Sequence, residues 1–237
     1  MTRRTHIENE IFVRDKSLVK DIIEKYHGNW PIVYGVPRSG STLLRNILNT
    51  TFDGNIAVQQ HDFFKTDNKV FCAYRDFRDS TVSQWRIQKG GFSNEKNKQV
   101  VDFNVIEYNA GRIKSQVHEN LNKFKSYYDK SQIYFARYES YFDNFDIVLD
   151  DIERFLDINI KSELRDFIKV TWHRDNVKRI YSDAIPKFWG MDKRTEIHGQ
   201  HIYKGLPETW KELLTVPAQA DITNFFNDEL KEWKYEL

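Results

Sequence analysis

The sequence predicts an α/β fold, a single domain whose central parallel β-sheet is flanked by helices. Short apolar runs alternate along the chain with longer segments in which apolar residues recur at helical spacing. In addition, a glycine-containing loop follows the first clear strand-like run and leads into a helix-like run. The 237 residues suffice for one core. Neither a repeat nor a linker divides them, so we expect one domain over residues 1–237.

The strands are predicted from apolar runs. They are expected at residues 31–35, 56–58, 70–74 and 132–136. The run from Val70 to Tyr74 is apolar throughout, which is typical of a strand buried on both faces of a parallel sheet. Ligands of such sheets bind beyond the carboxyl ends of the strands. Polar residues that directly follow a strand are therefore candidate site residues.

The helices are predicted where apolar residues return every three or four positions. They are expected at about 18–26, 41–49, 79–89, 99–128, 145–156, 162–181 and 217–233. Asp79 stands near the start of its helix, where the helix dipole stabilises a carboxylate. Gly111 predicts an interruption of the long pattern at 99–128. Residues 182–209 are irregular, and a loop of this length is typical of a functional or a disordered segment.

Composition excludes several classes of protein. The 36 basic and 35 acidic residues nearly balance, so no overall field favours nucleic acid or a membrane surface. The single cysteine, Cys72, excludes an internal disulfide and a cysteine-based zinc site, and we expect it to be buried. No stretch approaches the roughly 20 apolar residues that span a bilayer. We therefore expect a cytoplasmic protein that binds neither nucleic acid nor membrane.

The loop after the first strand carries the most specific signal. The spacing from Gly35 to Gly40 is that of a phosphate-binding P-loop, but Ser41 stands where such loops have lysine. The positive charge lies instead at Arg38. Backbone amides of a glycine-rich turn at a helix N-terminus bind anions, and the hydroxyl of Thr42 adds a donor. We expect a phosphate site without the lysine that reaches a triphosphate.

A second candidate anion site follows the strand at 70–74. Arg75 comes directly after this strand, and Ser83 lies one or two turns into the next helix. The two side chains are expected to face each other across a small anion. An arginine is usually a solvated surface group, but this one lies where open sheets bind ligands.

These segments resemble the sulfotransferases that use 3′-phosphoadenosine 5′-phosphosulfate (PAPS). Residues 35–42 are similar to their 5′-phosphosulfate loop, and residues 74–79 with Ser83 are similar to their 3′-phosphate motif. Residues 137–141 and 204–215 resemble two later, weaker motifs of the family. The motifs occur in family order and span about 31–230. The resemblance implies the P-loop NTPase-like sulfotransferase fold, with PAPS as co-substrate and its 3′,5′-bisphosphate (PAP) as product.

The resemblance also implies roles for individual residues. The donor would be held by Pro37, Arg38, Ser39, Gly40, Ser41, Thr42, Arg75, Ser83, Tyr138, Lys204 and Gly205. Within this set Arg38 would bind the 5′-phosphosulfate, and Arg75 with Lys204 would bind the 3′-phosphate. Tyr138 would lie near the adenine. His61 would be the catalytic base, because imidazole exchanges protons near neutral pH, and Arg38 would stabilise the leaving group without a metal.

Three departures from the family pattern stand out. Gln59 occupies the position of a family lysine two residues before the histidine, and Lys65 is a lysine nearby in sequence that could substitute for it. Tyr203 replaces an arginine before Lys204. The family's dimerisation pattern is matched only in part and ends in Ala220, so a monomer or a weak homodimer is expected.

Two other functions remain open. A nucleotide kinase would explain the loop spacing, but it needs a lysine at Ser41 and a metal-holding aspartate in a setting that Asp62 and Asp76 lack. A non-catalytic protein of the same fold would bind the bisphosphate without transferring sulfate. The sequence does not identify the acceptor, which would be a hydroxyl or amine on a small molecule or glycan. Basic residues such as Arg86 would suit an anionic acceptor or form a solvated face.

Overall fold

The predicted parallel sheet is confirmed. The computed structural model describes residues 15–53, 59–89, 100–184, 195–197 and 205–237. These residues form four parallel strands in the order β2-β1-β3-β4. The strands are β1 (Ile32–Gly35), β2 (Gln59–Gln60), β3 (Val70–Tyr74) and β4 (Ile133–Arg137). The strand predicted at 56–58 lies outside the described residues, and β2 directly follows it.

The helices occur largely where they are predicted. They are α1 (Lys20–Tyr26), α2 (Ser41–Thr51), α3 (Phe77–Gln88), α4 (Phe103–Gln116), α5 (Asn122–Tyr127), α6 (Tyr138–Tyr141), α7 (Phe145–Leu156), α8 (Ser162–Trp172), α9 (Arg174–Ala184), α10 (Thr209–Leu213), α11 (Val216–Phe225) and α12 (Asn227–Glu232). The interruption predicted at Gly111 is wrong, since α4 runs through it. A π-helical turn at Val117–Leu121 joins α4 to α5 instead.

Two apolar cores cover the two faces of the sheet. Successive side chains of a strand point to opposite faces, so Val33 packs in one core and Tyr34 in the other. The first core also takes apolar residues from α2, α7 and α8, and the second from α4, α11 and α12. Cys72 is buried in the second core, as expected. Because helices cover both faces of the sheet, the carboxyl ends of the strands are left accessible to a ligand.

The described residues contain neither a membrane-spanning helix nor a cluster of metal-ligating side chains. No helix in this part of the chain is both long and apolar enough to cross a membrane. No group of histidine, cysteine, aspartate or glutamate side chains in it is placed to hold a metal ion. The domain boundaries at 1–237 stay a prediction, because residues 1–14 lie outside the described part.

Candidate active site

A cavity of about 690 Å³ opens at the carboxyl ends of the strands, within the usual size range of small-molecule sites. The predicted site residues that line it are Pro37, Arg38, Gly40, Ser41, Thr42, His61, Arg75, Ser83, Tyr138 and Gly205. Ser39 is fully buried beneath the loop and does not line the cavity. Lys204 lies outside the described residues. The fold therefore brings together residues that follow all four strands.

The loop after β1 is held in its curled form by left-handed backbone angles. Arg38 has a φ of 68° and Gly40 a φ of 82°, so the chain reverses before α2 begins at Ser41. A side chain at Gly35 would place its Cβ 2.3 Å from the Cβ of Ser41. The hydroxyl of Ser39 is buried and has no hydrogen-bond partner among the described residues. The loop is thus a tightly packed turn that encloses the unpaired hydroxyl of Ser39.

Arg38 points from this loop toward α3. Its Nε donates a hydrogen bond to Ser83 Oγ at 3.2 Å, so the two predicted phosphate motifs are in direct contact. Burial, and then the nearby guanidinium of Arg75, lower the pKa of Arg38 to about 10. The side chain is still a cation at neutral pH. The two guanidinium groups therefore lie near each other at the carboxyl ends of the strands.

Arg75 lies at the carboxyl end of β3, as predicted, and is buried. Its Nη2 donates to the backbone oxygen of Leu206 at 2.6 Å and lies 3.2 Å from Asp79 Oδ2. Its guanidinium carbon is 4.8 Å from the centre of the Tyr138 ring. The Nε is buried and has no hydrogen-bond partner among the described residues. Arg75 is therefore fixed in place with one donor still unused.

Asp79 has a role that the sequence did not indicate. The helix N-cap is Asp76, whose side chain accepts from the amide of Arg78. Asp79 is buried and accepts from the backbone amides of Glu208 at 2.8 Å and Trp210 at 3.0 Å. Burial raises the pKa of Asp79 to about 6, and the Arg75 charge opposes this rise. Asp79 therefore fastens the C-terminal segment to α3 beside the cavity.

Tyr138 connects the first loop to the C-terminal segment. Its hydroxyl donates to the backbone oxygen of Gly205 at 2.8 Å. Its ring lies against Gly40, where an added Cβ would be 2.4 Å from Tyr138 Cδ2. Phe142, whose ring centre is 6.1 Å from that of Tyr138, and Trp172 also line the cavity. Three aromatic side chains are therefore available to contact a planar ring.

His61 follows β2 directly and is exposed on the cavity side. Its Nδ1 lies 3.2 Å from the backbone oxygen of Gly35. A carbonyl oxygen can only accept, so Nδ1 carries the proton of the neutral ring and the lone pair lies on Nε2. The imidazole is therefore in the tautomer that a general base at Nε2 requires.

A buried asparagine holds the backbone around His61. Asn120, in the π-helical turn, accepts from the amide of Phe63 at 2.7 Å through Oδ1. Its Nδ2 lies 3.4 Å from the carbonyl oxygen of His61 and donates to Gln116 Oε1 at 3.0 Å. A turn of π-helix inside an α-helix is often found at a functional site. The sequence carried no signal for this contact, since its partners are more than 50 residues away.

The proposal that Lys65 compensates for Gln59 is not supported by the geometry. Lys65 Nζ lies 4.9 Å from the centre of the Tyr127 ring and does not line the cavity. The side chain of Gln59 lies outside the described residues. The cations that line the described cavity are all arginines: Arg38, Arg75, Arg86, Arg112 and Arg174.

The chain matches the family model of the sulfotransferase domain over residues 54–234. The match begins after the loop at residues 35–42, so it is independent of the P-loop spacing. In fold, the protein is similar to the mouse sulfotransferase SULT7A1, whose structure was solved in complex with PAP, with a TM-score of 0.61. The two chains are 11% identical, and the similarity covers 92% of this chain and 90% of that chain. No curated protein matches the sequence. Because the family model spans most of the chain, this protein belongs to the sulfotransferase domain family.

Proposed function

We propose that this protein transfers a sulfuryl group from PAPS to a hydroxyl or amine of a small-molecule or glycan acceptor and releases PAP. The observation that supports it most is that arginines of both predicted phosphate motifs line one cavity, Arg38 in the loop after β1 and Arg75 after β3. PAPS carries anionic groups on both its 5′ and 3′ positions. A nucleoside triphosphate carries its phosphates in one chain and has no group for the second motif.

The residues present fit such a donor. Burying a polar group without a partner costs about 1–3 kcal/mol, yet Arg75 Nε is buried without one among the described residues. An anionic oxygen of the donor beside Arg75 would give this nitrogen an acceptor. The N-terminus of α2 adds backbone amides and a favourable dipole. Lys204 and the amide of Gly205 would complete the 3′-phosphate site.

The proposed reaction is an in-line displacement at sulfur. The acceptor oxygen or nitrogen attacks the sulfur, and the bond from sulfur to the bridging oxygen of the 5′-phosphate breaks. His61 Nε2 takes the acceptor proton as general base. Arg38 stabilises the negative charge that develops on the departing phosphate oxygen. The protein's own cations supply the positive charge in this proposal, so it includes no metal ion.

Calorimetry with three nucleotides tests the proposal. We expect PAP to bind at least about tenfold more tightly than ADP in the presence of EDTA, because one charge-assisted hydrogen bond is worth about that much. Transfer of ³⁵S from labelled PAPS to an acceptor pool should follow. Tight binding of Mg-ATP without binding of PAP would instead identify a kinase. Binding of PAP without transfer to any acceptor would identify a non-catalytic member of the family.

A pair of glycine variants tests whether the close contact between Gly40 and the Tyr138 ring is part of the donor site. Gly40→Ala should lower the free energy of unfolding by about 1–3 kcal/mol, because Gly40 has a left-handed backbone conformation. It should also lower the affinity for PAP about tenfold, because the added Cβ displaces the Tyr138 ring. Gly28→Ala is the matched control, since Gly28 has a φ of 84° but nothing within 4 Å of an added Cβ. Thermal unfolding should respond to both changes. Only Gly40→Ala should weaken the binding of PAP in calorimetry, and an equal affinity in the two variants would contradict this role of the contact between Gly40 and Tyr138.

A further inference from the structure

The cavity extends beyond the phosphate motifs along α3 and α4, where two more arginines line it. Arg86 lies three residues after Ser83, so both side chains project from the same face of α3. Arg112 is on α4, which packs beside α3 through a hydrogen bond from Asn109 Nδ2 to Gln88 Oε1 at 2.8 Å. Arg86 is partly buried and Arg112 is exposed. The two arginines therefore belong to neighbouring helices that form one wall of the cavity.

This wall is connected to the backbone of His61 through Gln116 and Asn120. Gln116 lies one turn after Arg112 on α4 and also lines the cavity. Its Oε1 accepts from Asn120, and Asn120 contacts the backbone of His61. A molecule that presents its hydroxyl or amine to His61 would therefore have this wall beside it, on α3 and α4.

The cavity is cationic although the whole chain is almost neutral. Its described lining contains five arginines and two acidic residues, whereas the chain as a whole carries a formal charge of +1. Asp79 is engaged by Arg75 and by two backbone amides. Glu196 forms an ion pair with Arg45 at 3.5 Å. Arg174 pairs with Asp175 at 3.3 Å. Among the described lining residues, arginines outnumber carboxylates.

We infer that Arg86 and Arg112 select an acceptor that carries an anionic group, such as a carboxylate, on the same molecule as its reactive hydroxyl or amine. The inference rests on the proposed function, because it assigns Arg38 and Arg75 to the donor. Guanidinium groups bind carboxylates through paired, charge-assisted hydrogen bonds. Such contacts strengthen where the walls of a cavity exclude part of the water. Apolar neighbours such as Ile87 and Leu213 would contact the body of the acceptor.

Binding of matched compounds to the PAP complex tests this inference without requiring turnover. The probes are three pairs that differ in a carboxylate: 6-hydroxy-2-naphthoate and 2-naphthol, 4-hydroxyphenylacetate and its methyl ester, and glucuronate and glucose. We expect at least one acid to bind about tenfold more tightly than its neutral partner. The preference should fall as salt is raised. Arg86→Gln with Arg112→Gln should abolish it and leave the affinity for PAP unchanged.

Arg154→Gln is the matched control, since Arg154 is an exposed arginine of α7 that does not line the cavity. It should keep the preference for the acid. The inference is wrong if none of the three acids binds better than its partner, or if the double variant keeps the preference. Failure of the proposed function has a different signature, in which PAP does not bind to the wild-type protein or no acceptor pool receives sulfate.

Discussion

His61→Ala is expected to lower the rate of sulfate transfer by about 100- to 10,000-fold, the usual contribution of a general base. Its affinity for PAP should change little, because His61 hydrogen-bonds to the backbone of Gly35 and is not one of the phosphate-binding residues proposed above. The measurement is initial-rate transfer from ³⁵S-labelled PAPS together with calorimetry of PAP binding. Both are needed, since a loss of rate alone would also follow from a damaged donor site.

Two further variants make the result specific to proton transfer. His61→Gln keeps a side-chain amide that can donate to the Gly35 oxygen but supplies no base, so it should be as slow as His61→Ala. His27→Ala changes an exposed histidine that does not line the cavity and should be as active as the wild type. Turnover of His61→Ala at the wild-type rate would exclude His61 as the base.

Arg75→Gln is expected to lower the affinity for PAP by about 100-fold, since it removes charge-assisted hydrogen bonds to the 3′-phosphate. Binding of adenosine 5′-monophosphate, which lacks this phosphate, should change far less. Calorimetry with both nucleotides therefore gives a ratio of affinities that isolates the 3′-phosphate contact. The variant should also be less stable, because Asp79 loses the cation that opposes the rise of its pKa.

Arg78→Gln separates these two effects. Arg78 is buried like Arg75, pairs with Asp76 at 2.7 Å and donates to the Glu236 oxygen at 2.8 Å, but it does not line the cavity. Its loss should lower the unfolding temperature without changing the ratio of PAP to monophosphate affinity. If Arg75→Gln leaves that ratio unchanged, Arg75 does not bind the 3′-phosphate.

Much of the fold is local in origin and was therefore predictable. The strand at 70–74 and the helix at 145–156 have the predicted bounds, because apolar periodicity is a property of consecutive residues. Boundaries shifted where a side chain acts as a cap: Asp76 begins α3 at Phe77, two residues before the predicted start. The π-helical turn at 117–121 was not predicted, since its residues have the same apolar spacing as an ordinary helix.

The candidate site also combines features that the local sequence predicts with contacts that only the tertiary structure creates. The loop at 35–42 and Arg75 are recognisable in the sequence, because a contiguous strand, turn and helix N-terminus already form the pattern expected of an anion site. The contacts of Asp79 with Trp210 and of Asn120 with Phe63 join residues 131 and 57 positions apart. No local pattern encodes such pairs. Folding of α3 and the π-helical turn against distant segments creates them, and it also places Arg86 and Arg112 on a common wall.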